Sequence, residues 1–209
     1  MKPSIILLAL FVFTNVLADK YTEQMTKNIE VVYTASNIED LQKAVNTFER
    51  IGGAEKTKWE PYYYASFGYI MMAVKETDAA KKDSYLDMAK TTLDKAYAVK
   101  SDESEIVALE GFIHMIRVSI DPASRGQQYS TLAMQAYGKA VGMNSQNPRA
   151  LALMARMQFG TAQFFKQQPV EACQTAKKAL ALFEAQTGGI TIAPSWGKGM
   201  AEELVKGCN

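Results

Sequence analysis

Histidine is almost missing from this chain: His114 is the single copy among 209 residues, and cysteine occurs only at Cys173 and Cys208. A zinc-type centre or a histidine-based acid–base site needs companions at ligand or hydrogen-bond spacing, and none stands near His114, which reads as a packed structural residue. Charge of one sign is lacking too, with Lys+Arg 23 against Asp+Glu 22. Nucleic-acid binders carry a clustered positive face. The longest basic runs here are Lys81-Lys82 and Lys177-Lys178, so nucleic acid is excluded as a partner. There is no Gly-rich phosphate loop. Gly52-Gly53 and Gly188-Gly189 lack the Lys and Ser/Thr of a nucleotide motif and read as helix stops. No serine sits in a nucleophile elbow. The acids Glu103, Glu105, Glu110, Glu202 and Glu203 are scattered, and those at helix starts are favoured there by the backbone dipoles. These absences predict a protein with no catalytic residue, no cofactor and no metal site, and so not an enzyme.

Long apolar runs are absent as well, except at the start. Lys2 precedes an apolar stretch from Ile5 to Phe13, and Val16-Leu17-Ala18 closes it with the small and apolar residues a signal peptidase reads. The run is shorter than the roughly 20 residues that cross a bilayer. Residues 1–18 are predicted to be a secretory signal cleaved after Ala18. Cutting there removes Lys2 and leaves 22 basic against 22 acidic side chains, in a periplasmic or secreted protein with no transmembrane segment.

What is present is helix-forming. Pro and Gly number only 6 and 13, while Ala, Lys, Met, Leu and Glu are plentiful. From residue 19 to 209 no linker or composition break appears, which predicts one domain. Ser36 with Glu39 and Asp102 with Glu105 have capping-box spacing. Pro61, Asn147-Pro148, Gln168-Pro169 and Pro194-Ser195 mark further helix starts. Apolar residues recur at three and four, as in Leu41, Ala44, Val45, Phe48 and Ile51. Ile190-Thr191-Ile192 reads as loop.

The helices repeat. A small residue, an apolar one four later and another three later occur as Ala44, Phe48, Ile51; Ala89, Leu93, Ala96; Ala133, Tyr137, Ala140; and Ala172, Ala176, Ala179, at spacings of 45, 44 and 39 residues. A second class carries Gly68, Gly111 and Ala155, spaced by 43 and 44. Small residues at matched places let antiparallel helices approach closely, so one hairpin is built about four times.

This pattern resembles the tetratricopeptide repeat (TPR), whose unit is about 34 residues with Ala-x-x-x-aromatic-x-x-Ala in its second helix. It departs by longer predicted loops, Lys75 to Lys82 and Ser119 to Gln128. Phe48-Glu49-Arg50-Ile51 with Trp59-x-Pro61-Tyr62-Tyr63-Tyr64, Asn147-Pro148-Arg149-Ala150, and Ala179 to Glu184 with Pro194-Ser195-Trp196-Gly197-Lys198 are similar to small exported TPR-like proteins of Gram-negative bacteria. The resemblance spans nearly all of the mature chain. It implies an all-α, right-handed helical-hairpin solenoid of about four hairpins plus a C-terminal capping helix. It also implies partner binding without chemistry.

Taking Gly68, Gly111 and Ala155 as hairpin contact points, the residues one and four further on should face the concave side: Tyr69 and Met72, Phe112 and Met115, Arg156 and Phe159. Tyr62 joins them from its helix start. Such an aromatic and Met-rich wall suits a peptide or protein partner. A glycan stacking on Trp59, Tyr62 and Tyr69, or an envelope spacer without a ligand, are the alternatives. Cys173 and Cys208 lie near the start of one helix and the end of another. If these helices are antiparallel neighbours, both sulfurs share one end and can form a disulfide in an oxidising compartment; two free thiols are the alternative.

Overall fold

The three-and-four spacing of small and apolar residues folds as helix throughout the described range. The computed structural model describes residues 20–186 and 191–208. The predicted signal segment, Asp19, Gly188-Gly189 and Ile190 lie outside it. Helix α1 covers residues 20–34. It is followed by α2 (Ile38–Ala54), α3 (Glu60–Lys75), α4 (Ala79–Val99), α5 (Ser104–Ile120), α6 (Pro122–Met143), α7 (Pro148–Phe164), α8 (Val170–Ala185) and α9 (Lys198–Lys206). No strand occurs among the described residues. Consecutive helices pack antiparallel as four hairpins, and α9 closes the row against α7 and α8. Helices α3, α5, α7 and α9 also touch one another in sequence order, forming an inner layer.

The repeated triplets are the buried stripes of α2, α4, α6 and α8. Ala44 and Phe48, Ala89 with Leu93 and Ala96, Ala133 with Tyr137 and Ala140, and Ala172 with Ala176 and Ala179 are all buried, while Ile51 is half-buried. The inner-layer helices, covered on more than one side, are apolar around most of their circumference. Buried positions in α3 run from Tyr63 to Ile70 without a break. Buried polar groups tie the helices: the Ser66 hydroxyl of α3 donates to the Ala89 carbonyl of α4 at 2.9 Å, and the Asn147 amide at the start of α7 to Ser104 Oγ of α5 at 2.9 Å.

Several local expectations shift. The cap of α2 is Asn37, whose side chain accepts from the Asp40 amide, and the cap of α5 is Glu103. Each is one residue beyond the predicted Ser36 and Asp102. Asn147 caps α7 with Pro148 at its first position, whereas Pro169 is itself the cap residue of α8. Gly52 and Gly53 do not stop α2, which runs to Ala54. Gly52 is there for space, since a Cβ would stand 2.7 Å from the Tyr62 ring. The two long loops are mostly helix instead, with only residues 76–78 and Asp121 between helices. Asp78 caps a 21-residue α4, and Asp121 both ends α5 and caps a 22-residue α6. The extra length of this repeat therefore resides in its outer helices, whose exposed faces are polar and read as loop by composition.

The structure joins Cys173 to Cys208 in a disulfide that fastens α9 to the start of α8. The bond closes a loop with a sequence separation of 35. By the chain-entropy argument this stabilises the fold by on the order of 3–4 kcal/mol. Denaturant midpoints with and without reductant should differ accordingly, and thiol counting on the oxidised protein should find none free. Equal midpoints would remove the bond from the stability of the fold.

Candidate functional site

The inner layer carries an aromatic wall built from three helices. Tyr33 lies near the end of α1, Tyr63, Tyr64 and Phe67 on α3, and Phe112 on α5. The Tyr33 ring meets those of Tyr64 and Phe67 edge-on at centroid distances of 6.2 and 6.0 Å, and Tyr63 meets Tyr64 at 5.3 Å. Tyr63 and Tyr64 are fully buried, while Tyr33 keeps 36% of its surface exposed. Burial in apolar surroundings pushes the Tyr63 and Tyr64 phenols well above the ordinary tyrosine range.

Segment 191–197, which precedes α9, lies across this wall. The Trp196 indole stacks on Phe67 at 4.7 Å with an interplanar angle of 27°, and on Phe112 at 5.7 Å and 25°. Its Nε1–H donates to Tyr63 Oη at 3.0 Å, and the Ser195 amide donates to Tyr33 Oη at 3.3 Å. One flat ring system is thus stacked on two aromatic rings, with the Tyr63 phenol at its edge. Gly197 follows at φ +104, where L side chains are rarely found, and a Cβ there would press on Phe183 and Arg149.

Beside the stack lies a buried ion pair. Arg149, at the start of α7, donates through Nε and Nη2 to the two carboxylate oxygens of Glu105, at the start of α5, at 2.8 and 2.7 Å. The same guanidinium sits over the Phe183 ring and reaches the Trp196 carbonyl at 3.5 Å. Burial pushes the Glu105 carboxyl above the usual range, and the Arg149 contact opposes that shift. A planar fork against a carboxylate is the geometry in which arginine tolerates burial best.

Of the seven residues predicted for a groove, only Phe112 is on this wall. It is buried because Trp196 covers it. Tyr69 and Met72 are buried as well. The Tyr69 phenol faces Gln42 and Glu49 of α2. Tyr62 lies against Gly52 of α2, with Lys95 of α4 over its ring. Met115 is half-buried against the core, Phe159 packs toward α9 beside Gly207, and Arg156 is exposed. The structure does not bring these seven together.

The cause is the frame. A Cβ on Gly68 would stand 2.5 Å from Val45 of α2, the preceding helix, while one on Gly111 would stand 2.3 Å from Tyr137 of α6, the following one. The two glycines mark different seams, so counting onward from each points to different faces. Trp59, Tyr62 and Tyr69, offered for a glycan, also diverge, since Trp59 turns edge-on to Tyr63 while the other two face α2. Sequence reasoning missed Tyr33, Tyr63, Phe67, Glu105 and Arg149 as site residues. The available signal was the run of large rings at 62–64 and 67 together with the Pro194-Ser195-Trp196-Gly197 turn.

His114 lies off the wall. Its ring stacks on Tyr129 of α6 at 6.0 Å, its Nδ1 finds no partner among the described residues, and burial lowers its pKa below the ordinary histidine value.

No family model matches this chain, and no curated protein matches it. Among solved structures it is similar to the HusA haemophore from Porphyromonas gingivalis, at 27% identity and a TM-score of 0.79 over 90% of this chain and 92% of that one. It also aligns with the MamA protein at 14% identity and a TM-score of 0.42, over 88% and 87% of the two chains. The chain is an all-helical protein of helical-hairpin architecture. Among the described residues no helix is long and apolar enough to cross a membrane.

Proposed function

We propose that this protein is an exported, non-enzymatic carrier that takes up a flat, largely apolar ring ligand of the haem class on its inner aromatic wall. The observation that carries this reading is the stacking of an indole on both Phe67 and Phe112. Such a paired ring surface suits any thin aromatic plate, because stacking rewards flat area in near-parallel contact. The likeness to a haemophore at 27% identity over nine-tenths of the chain supports the ligand class. The signal-like order of residues 1–18 supports export.

Stacking and hydrogen bonding hold the ligand in this reading, and axial histidine ligation does not. The single histidine stacks on Tyr129 at the α5–α6 seam, away from Trp196. Metal-free protoporphyrin should therefore bind with an affinity close to that of haemin. Absorbance titration of the mature protein tests both statements. A saturating Soret change near one ligand per protein is expected with each. No spectral change with micromolar haemin would refute the carrier reading, and binding of haemin alone would refute the stacking mode.

A second reading, contact with a protein partner, is favoured by one surface feature. Phe164, Phe165 and Val170, at the turn from α7 into α8, are 69%, 62% and 62% exposed. That is a concentration of large apolar side chains at a loop tip. Such a contact is compatible with a carrier that hands over its ligand.

A further inference from the structure

Segment 191–197 occupies the very groups that a porphyrin-like ligand would need. Its indole stacks on Phe67 and Phe112, and its indole N–H and Ser195 amide donate to the Tyr63 and Tyr33 oxygens. Its Trp196 carbonyl takes the remaining reach of Arg149. A flat aromatic plate with carboxylates on one edge presents a face to stack and acceptors for the guanidinium, and the two phenol hydroxyls, which accept from the segment, would donate to it. Resting on the carrier reading above, we propose that this segment is an internal stand-in for the ligand. On loading, Trp196 leaves Phe67 and Phe112, the ligand ring replaces it, and Tyr33, Tyr63 and Arg149 turn from the segment to the ligand's carboxylates.

The surrounding chain allows such an exchange without loss of the fold. The disulfide between Cys173 and Cys208 holds α9 on α8 whether or not the segment is seated. Gly197, in the left-handed region, separates the segment from α9 and supplies a joint that no residue with a Cβ would fit comfortably. Trp196 is half-buried and Ser195 exposed, so these two residues form the outermost layer over the wall, while Pro194 beside them is buried. The wall itself stays built when the segment lifts, because Tyr64 also packs on Tyr63, Tyr33 and Phe48, and Phe67 on Tyr33. Arg149 keeps its bidentate hold on Glu105 throughout.

An internal competitor weakens apparent affinity by the fraction of time the site is open, and removing it returns that factor. Haemin titrations of wild type and Trp196→Ala should therefore show tighter binding by the variant, by about tenfold for a segment seated nine-tenths of the time. Weaker binding by the variant would make Trp196 part of the ligand's wall and overturn the proposal. Equal affinities would overturn it too while leaving the carrier reading intact. Absence of binding in both would overturn the carrier reading and the proposal together.

Hydrogen–deuterium exchange on the unaltered protein gives an independent readout should the variant fold poorly. Saturating haemin should speed exchange in the peptide containing Ser195 and Trp196 while slowing it in α3 and α5. Slower exchange in all three would show the segment closing over the ligand, and would end the displacement mechanism.

Discussion

Replacing Arg149 by methionine should cost the folded state about 3–5 kcal/mol, because it leaves the Glu105 carboxylate buried with its partner gone. Glu105 and Arg149 expose only 8% and 5% of their surface, so water cannot take over the lost hydrogen bonds. The loss should depend on pH in a definite sense. Burial already raises the Glu105 carboxyl, and removing the guanidinium removes what opposes that shift. A carboxyl with a raised native pKa contributes stability that is present below its unfolded value of about 4.3 and is lost as pH rises through the native value. Arg149→Met should thus be less destabilised at pH 5 than at pH 8. Pairing it with Glu105→Leu removes both charges and should recover most of the loss, as apolar replacement of a whole buried pair commonly does. Urea midpoints of the single and double variants decide the matter. A single-variant cost below about 1 kcal/mol would show the pair to be solvated.

Phe112→Ala should cost a comparable 3–5 kcal/mol. Its ring is 6% exposed, seated on α5 and covered by Trp196. Part of the cost belongs to that cover. In a double-mutant cycle with Trp196→Ala the two losses should fall short of additivity by roughly 0.5–1.5 kcal/mol, the usual worth of an aromatic pair. Additive losses would mean that the rings are not in contact in solution. A melting temperature unchanged by Phe112→Ala would mean that the ring stands free, as the sequence alone suggested.

The hairpins were legible because their signal is local and repeated. Ala44 with Phe48, and the three later triplets, sit at one turn of helix from each other, and each forms a buried stripe. The outer helices were read too short for an equally local reason. Within the predicted loops Lys75 to Lys82 and Ser119 to Gln128, the stretches 79–82 and 122–128 are helix with polar exposed faces, and such a face has the same composition as a loop. Asp78 and Asp121, which cap α4 and α6, were the missed clues.

The site was less legible because its parts are distant in sequence. The Glu105 oxygens and the Arg149 nitrogens meet across 44 positions, and the Trp196 indole meets the Tyr63 hydroxyl across 133. No spacing rule links residues so placed. Glu105 is ordinary at a helix start, where negative charge is favoured by the dipole. Only its burial beside Arg149 makes it unusual.

By itself, then, the sequence determined the helices, their pairing into four hairpins and the closing helix, since these follow from periodic small and apolar residues that act within a turn or two. Which side of each helix faces inward was decided only in three dimensions. Neighbouring positions on a helix differ by about 100°, so the pattern sets the width of a buried stripe, while packing against the adjacent helices sets its direction. Gly68 turns to α2 and Gly111 to α6, and that difference moved Tyr69 into a seam and left Phe112 on the wall. The tertiary structure alone also placed Trp196 on Phe67 and Phe112, because a loop's position depends on the surface it lands on and not on its own periodicity.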